Sequence, residues 1–132
     1  MSQGNSGRDV IVIGASAGGL TPLKTILKSL PADLPASIFI VMHIAPSSPG
    51  FLPEILQKAG QLPAEWAIDN SIPSYGRVYV APPDRHLLLK PGRICVLSGP
   101  RENRFRPAAD PLLRSAARNY GPRVISVTEL EK

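Results

Sequence analysis

Short apolar runs alternate with amphipathic segments along the chain, and this alternation predicts its architecture. The first run, VIVI at residues 10–13, is continuous and β-branched, which is typical of a strand buried on both faces. Residues 20–30 then carry apolar side chains at helical spacing, and Pro31 ends that segment. A second buried strand, SIFIVMHI, is predicted over residues 37–44.

Turn residues punctuate the rest of the chain. The pattern predicts a helix closed by Gly60, short strands at 64–69 and 76–82, a hairpin at 86–97, a helix at 110–121 and a strand at 123–127. Pro91-Gly92 suits the tight turn of the hairpin. For the last helix the pattern predicts Asp110 as N-cap, Pro111 at the first helical position and Gly121 just past the end.

Strands that alternate with helices predict an α/β fold: a doubly wound, mainly parallel sheet with helices on both faces and an inserted β-hairpin. Residues 1–9 are expected to form a flexible leader, and residues 10–127 a single domain. Residues 128–132, TELEK, are charged and fit poorly as the end of a buried strand, so we expect an atypical tail there.

The composition fits this fold. Of the 132 residues, 43% are apolar and only 5% aromatic, so aliphatic side chains must fill the core. No apolar run of about 18 residues and no apolar N-terminal segment occurs, so we expect a cytoplasmic protein without membrane insertion. The single cysteine, Cys95, lies in an apolar run and is predicted to be a buried structural thiol.

The net charge of +5 is compatible with an acidic partner or with solubility alone. Part of the excess is local, at Arg101, Arg104 and Arg106. The chain contains no recognisable nucleic-acid-binding motif, and nucleic acid is not expected as a partner.

Ser16 fits two loop patterns at once. Residues 14–18 match G-x-S-x-G, the sharp strand-to-helix turn that exposes a nucleophilic serine. Gly14, Ser16 and Gly19 also match the dinucleotide loop G-x-G-x-x-G, with serine in place of the second glycine. The loop alone leaves a serine nucleophile and a phosphate-binding loop both open.

The end of the second strand favours the nucleophile. A dinucleotide domain usually has Asp or Glu there to bind the ribose, whereas this chain has His43, which can accept the serine proton. The carboxyl ends of neighbouring parallel strands lie about 4.8 Å apart, so Ser16 and His43 are expected to share one crevice. The alternative for His43 is a partly buried histidine that caps a strand.

Four segments in order carry a resemblance to a known family: VIVIGASAGGL, FIVMHIAP, RVYVAPPDRHLLL and ENRFRPAADPLLRSAA. From Val10 to Val127 the chain resembles the catalytic domain of the bacterial chemotaxis protein-glutamate methylesterases, the CheB family. The resemblance implies a serine hydrolase that needs no cofactor or metal. Such an enzyme cleaves glutamyl methyl esters on the cytoplasmic segments of methylated chemoreceptors and releases methanol.

The family's motifs assign roles to individual residues. Ser16 corresponds to the nucleophile and His43 to the histidine of the catalytic pair. Arg104 and Arg106 lie in a stretch that matches a loop near the family's active site, and they are candidates for substrate contact. The alternative for both arginines is a solvated loop.

One element of the family's site has no aligned counterpart. The family draws an aspartate from a "DG" motif after a further strand, and here the chain reads TELEK and stops. Asp84 and Asp110 belong to other family motifs. We therefore expect a C-terminally truncated, impaired enzyme whose exposed apolar surface favours oligomers. The alternatives are a catalytically silent fragment that binds a receptor or partner and, less favoured, a nucleotide-binding domain.

Overall fold

The computed structural model describes residues 7–43, 51–98 and 109–130. The strands and helices in these ranges are, in chain order, β1 (Val10–Ser16), α1 (Leu20–Lys28), β2 (Ser37–His43), α2 (Leu52–Ala59), β3 (Ala64–Trp66), β4 (Val78–Val80), β5 (His86–Lys90), β6 (Arg93–Leu97), α3 (Ala109–Tyr120) and β7 (Val124–Leu130). Two short 3-10 helices lie at Ala17–Gly19 and Gly121–Arg123.

Five strands form one parallel sheet in the order β3-β4-β2-β1-β7. From β1 the sheet extends on one side through β2, β4 and β3, with β4 inserted between β2 and the earlier strand β3, and β7 pairs with the other side of β1. This confirms the doubly wound fold that the sequence predicts. The carboxyl end of β1 is thus a topological switch point, where open α/β sheets place their ligands.

Helices cover both faces of the sheet, because successive residues of a strand point to opposite faces. Val12 packs in the same apolar cluster as Leu112 of α3 and the hairpin residues. Ile13 belongs to the opposite cluster, with Leu23 of α1 and residues of α2. All four named side chains are almost completely buried, which explains the unbroken apolar sequence of β1.

The predicted hairpin is confirmed. β5 and β6 pair antiparallel around a turn in which Gly92 has a φ of 71°. The Tyr120 hydroxyl accepts a bond from the Gly92 N–H at 2.8 Å and donates to the Lys90 carbonyl at 2.9 Å, so α3 fixes the turn. The Asn119 side chain donates to the Leu89 carbonyl at 2.8 Å, which satisfies the open edge of β5.

The start of α3 corrects one prediction. The helix begins at Ala109, so Asp110 lies in the first turn and is not the N-cap, and Pro111 is the third helical residue. Asp110 fits there because an acidic side chain interacts favourably with the helix dipole. Pro111 fits because first-turn N–H groups have no intrahelical partner, so the N–H that proline lacks is not needed. Gly121 lies past the helix end as predicted, with a φ of 48°.

Other boundaries also differ from the prediction: β1 continues beyond residue 13 to Ser16, and β3 and β4 are shorter than the predicted strands at 64–69 and 76–82. Two further differences have a visible cause. α1 ends at Lys28, two residues early, because the Ser29 hydroxyl donates to the Ile26 carbonyl at 2.7 Å and caps the last turn. β7 continues to Leu130, beyond the predicted end at Val127, and Leu130 is the register partner of Ala15. An edge strand needs main-chain pairing on one side only, so polar residues extend it without being buried.

Cys95 is buried and free, as the sequence predicts. Burial raises the pKa of its thiol, which keeps it protonated and unreactive.

Candidate functional site

Ser16 occupies the junction of strand and helix that the G-x-S-x-G pattern predicts. It is the last residue of β1, the 3-10 turn Ala17–Gly19 follows directly, and α1 begins at Leu20. The residue is half-buried. Ser16 thus lies at the carboxyl edge of the sheet, at the switch point between β2 and β7.

Gly14 allows α3 to approach this edge closely. A Cβ atom on Gly14 would lie 2.8 Å from the Cβ of Ala109, the first residue of α3. Gly14 and Ser16 are two residues apart in β1 and therefore belong to the same face of the sheet. The absence of a side chain at position 14 brings the start of α3 against the face to which Ser16 belongs.

His43 is the register partner of Ser16. The pairing of β1 with β2 runs from Val10 opposite Ser37 to Ser16 opposite His43. The two positions thus lie side by side at the ends of neighbouring strands, with the usual spacing of about 4.8 Å between strands. The structure describes the backbone of His43, and its side chain lies outside the description.

The turn after Ser16 supplies main-chain donors. The N-cap of α1 is Gly19, which has no side chain to cap the first N–H groups of the helix. The first turn of α1 contains no acidic residue. The first N–H groups of a helix have no intrahelical partner and carry partial positive charge. Such groups next to a nucleophile can stabilise an oxyanion.

Arg104 and Arg106 lie outside the described residues. The first described residue of α3, the helix that follows them in the sequence, is Ala109, which lies beside Gly14 at the edge that carries Ser16. Asp110, in the first turn of α3, is exposed at the same end.

The described residues also contain an ion pair with a buried carboxylate, which sequence reasoning missed. Asp9 is 4% exposed and accepts bonds from Arg123 Nε at 2.8 Å and Arg123 Nη2 at 2.7 Å. The Tyr75 hydroxyl donates to the same carboxylate. These groups, Arg123 foremost, hold the pKa of Asp9 below its usual value despite burial.

This ion pair lies at the amino edge of the sheet, opposite to Ser16. Asp9 and Arg123 directly precede Val10 and Val124, which are register partners in β1 and β7. A sequence signal did exist, because each charged residue stands immediately before an apolar strand. Only the pairing of the first strand with the last brings them together.

Among the described residues, no group of three or more His, Cys, Asp or Glu side chains could hold a metal ion. Within the same ranges no helix has the length and apolarity to cross a membrane.

Comparisons with known proteins agree on one family. Residues 11–128 match the family model described as CheB methylesterase. The chain is 36% identical over 128 residues to a protein of Methanosarcina mazei named protein-glutamate methylesterase/protein-glutamine glutaminase 2, covering 91% of this chain and 35% of that protein. A putative enzyme of the same kind from Leptospira interrogans is 39% identical over 120 residues, covering 90% of this chain and 62% of that protein.

A solved structure is similar throughout the chain. The crystal structure of the Thermotoga maritima CheB methylesterase catalytic domain superposes with a TM-score of 0.80 at 34% identity, covering 94% of this chain and 67% of that one. The chain spans about a third of the length of the Methanosarcina relative.

Proposed function

Because the chain belongs to the CheB methylesterase family, we propose that it carries the nucleophile and the base of a protein-glutamate methylesterase. One observation carries the proposal: Ser16 and His43 are register partners at the carboxyl edge of the sheet. Register partners on neighbouring strands belong to the same face of the sheet, so we expect the serine hydroxyl and the imidazole to lie in one cleft. This geometry suits a nucleophile and a general base.

The proposed reaction has two steps. Ser16 Oγ attacks the carbonyl carbon of a glutamyl methyl ester while His43 takes the hydroxyl proton, and the N–H groups at the start of α1 stabilise the tetrahedral oxyanion. His43 returns the proton to the departing methoxide, which leaves as methanol. Water, activated by His43, then cleaves the acyl-serine and restores the glutamate carboxylate and the free serine.

The third member of such a site is a carboxylate that orients the imidazole. Asp9, the buried carboxylate of the described residues, lies at the opposite edge and is bound to Arg123. We propose that the 132-residue chain is an impaired hydrolase. Replacing the aspartate of a serine protease triad lowers turnover roughly 10⁴-fold, and a comparable deficit is expected in methanol release from methylated receptor, relative to an intact family member.

A labelling experiment tests the nucleophile without requiring fast turnover. The chain is treated with phenylmethanesulfonyl fluoride, and the modified residue is identified by mass spectrometry. We expect sulfonylation of Ser16, its loss in Ser16→Ala, and slower labelling in His43→Ala. Ser126→Ala, which removes an exposed serine in β7, is the matched control and should leave labelling unchanged. Equal labelling of several serines, or labelling that persists in Ser16→Ala, would contradict the proposal.

The names of the relatives suggest a second leaving group. Both curated relatives described above are named as glutaminases as well as methylesterases. Attack by Ser16 on a glutamine side-chain amide would give the same acyl-serine and release ammonia instead of methanol. Ammonia and methanol release from a receptor with glutamine or methyl-glutamate at the same site would distinguish the two activities. A chain that binds receptor but releases neither would be the silent binding fragment.

The substrate is proposed to be an acidic receptor segment. Arg104 and Arg106 lie in the stretch that precedes α3, in a chain of net charge +5. If these arginines attract the glutamate-rich substrate, binding should weaken as salt rises, because exposed charges are screened over about 8 Å at physiological ionic strength. Binding that is independent of salt, or unchanged in the Arg104→Ala/Arg106→Ala double variant, would remove their role.

A further inference from the structure

A cleft of about 250 Å³ opens at the amino edge of the sheet, on the side away from Ser16. Val10 and Phe39, which are almost completely buried, contribute its apolar base. The loop that carries Ile72 and Tyr75 lines one side, and Arg123 lines another. The volume is below the roughly 300–1,000 Å³ of pockets for drug-sized ligands, so the cleft suits a smaller molecule.

Asp9 lines the cleft, but most of the acceptor sites of its carboxylate are already occupied. It accepts two bonds from Arg123 and one from the Tyr75 hydroxyl. A buried carboxylate with these partners has little capacity left for a cationic ligand. Its effect is to fix the plane of the Arg123 guanidinium, which also lies 5.1 Å from the centre of the Tyr120 ring.

Arg123 retains donors on its other edge. Nε and Nη2 each donate to Asp9, whereas Nη1 makes no hydrogen bond to any described residue. The side chain as a whole is 52% exposed, and Arg123 lines the cleft. The outer N–H groups of Nη1 and Nη2 form a planar fork, the arrangement that binds a carboxylate through two parallel hydrogen bonds.

The surroundings favour an anion with an apolar body. Gly92, at the hairpin turn, lines the cleft, and its neighbours in the turn include the exposed cations Lys90 and Arg93. Asp9 offsets the charge of Arg123, and Lys90 and Arg93 are the cations of the adjoining turn. On the apolar side, Ile72 is 65% exposed and Tyr75 is 52% exposed. A ring seated against Ile72 and Tyr75 would remove apolar surface from water.

We propose that this cleft binds a small aromatic carboxylate, with the carboxylate on the outer edge of Arg123 and the ring against Ile72 and Tyr75. Asp9 acts as the positioning residue that holds Arg123 in place. The site is separate from the proposed hydrolytic site, because the two lie at opposite edges of the sheet. Its test therefore does not depend on esterase activity.

Titrations with two probes of the same shape and opposite charge test the proposal. Benzoate is added to the isotopically labelled 132-residue chain, and benzamidine is added to a second sample. Benzoate should give saturable NMR shifts at the amides of Ile72, Tyr75 and Gly92, with an affinity of about millimolar order for so small a ligand. Benzamidine should bind at least about tenfold more weakly, since the fork has only donors to offer. Equal or tighter binding of benzamidine, or benzoate shifts that do not saturate, would overturn the proposal.

Three variants separate recognition from folding. Arg123→Lys retains a charge toward Asp9 but loses the fork, and it should weaken benzoate binding about tenfold, as expected for one lost charge-assisted bond. Ile72→Ser changes an exposed side chain and should weaken binding several-fold in a chain with an unchanged fold. Ile125→Ser is the matched control: Ile125 is 37% exposed in β7 and is not among the cleft residues, so binding should be unchanged. Wild-type affinity in both Arg123→Lys and Ile72→Ser would refute the site.

Discussion

Replacing Gly14 with alanine should push α3 away from β1. The new Cβ would lie 2.8 Å from the Cβ of Ala109, whereas carbon atoms at optimal separation lie about 3.5–4.0 Å apart. The two elements must therefore separate by roughly 0.7 Å or more. β1 is paired on both sides, with β2 and β7, so the start of α3 has to move.

The magnitude follows from two opposing effects. Overpacking of a core typically destabilises the folded state by about 1–3 kcal/mol. Gly→Ala also lowers the entropy of the unfolded chain, which stabilises the folded state by about 0.4–1 kcal/mol where alanine can adopt the backbone conformation. We expect Gly14→Ala to lower the free energy of unfolding by about 1–2 kcal/mol. Urea denaturation, followed by circular dichroism and by Trp66 fluorescence, measures it.

Ala109→Gly supplies the compensating change, because it removes the atom with which the new Cβ collides. Alone it should cost no more than about 1 kcal/mol in helix propensity. In the Gly14→Ala background it should restore most of the lost stability. A double-mutant cycle should give a coupling of about 1 kcal/mol or more. Strictly additive effects would show that the contact between Gly14 and Ala109 does not limit this packing.

Two further predictions concern the amino edge and the hairpin. Asp9→Asn should lower the free energy of unfolding at pH 7 by about 1.5–3 kcal/mol, the usual worth of hydrogen bonds to a charged group. Because the folded-state pKa of Asp9 is lowered, its contribution is present above the unfolded pKa of about 3.9 and is lost as pH falls through the folded value. The difference between wild type and Asp9→Asn should therefore shrink below about pH 4, and a constant difference from pH 7 to pH 2 would contradict the assignment. Gly92→Ala should cost about 1–2 kcal/mol through its φ of 71°, since no atom lies within 4 Å of the added Cβ. Gly92→Asn should cost less, because asparagine tolerates this conformation, and equal losses in the two variants would point to a cause other than backbone strain.

The order and type of the elements could be predicted from local patterns. The β-branched run at residues 10–13 and the helical spacing from Leu20 are signals within a few residues, and turn residues such as Gly92 and Gly121 have φ values that local chemistry favours. Boundaries were less predictable because they depend on partners. β7 extends beyond its apolar residues since β1 offers main-chain groups for it to pair with.

The candidate site also contains residues that local patterns indicate and residues whose role only the fold reveals. The G-x-S-x-G loop indicated Ser16, and the residue types at the end of the second predicted strand indicated His43, so both candidates could be named before the fold was known. The role of Gly14 could not be predicted in this way. Position 14 requires glycine because Ala109, which lies far along the chain, packs against it. Arg104 and Arg106 lie outside the described residues, and their role stays a prediction.

The sequence by itself determined the secondary structure, the α/β class and the family motifs, since each is carried by residues that are close along the chain. The sequence also led to the expectation that Ser16 and His43 share one crevice, but only the tertiary structure made them register partners and brought Asp9 to Arg123, 114 residues away. Such contacts depend on the order of strands in the sheet, which is set by how buried faces pack and not by any local pattern. The cleft beside Arg123 exists for the same reason, because its walls come from segments that meet only when the first and last strands pair.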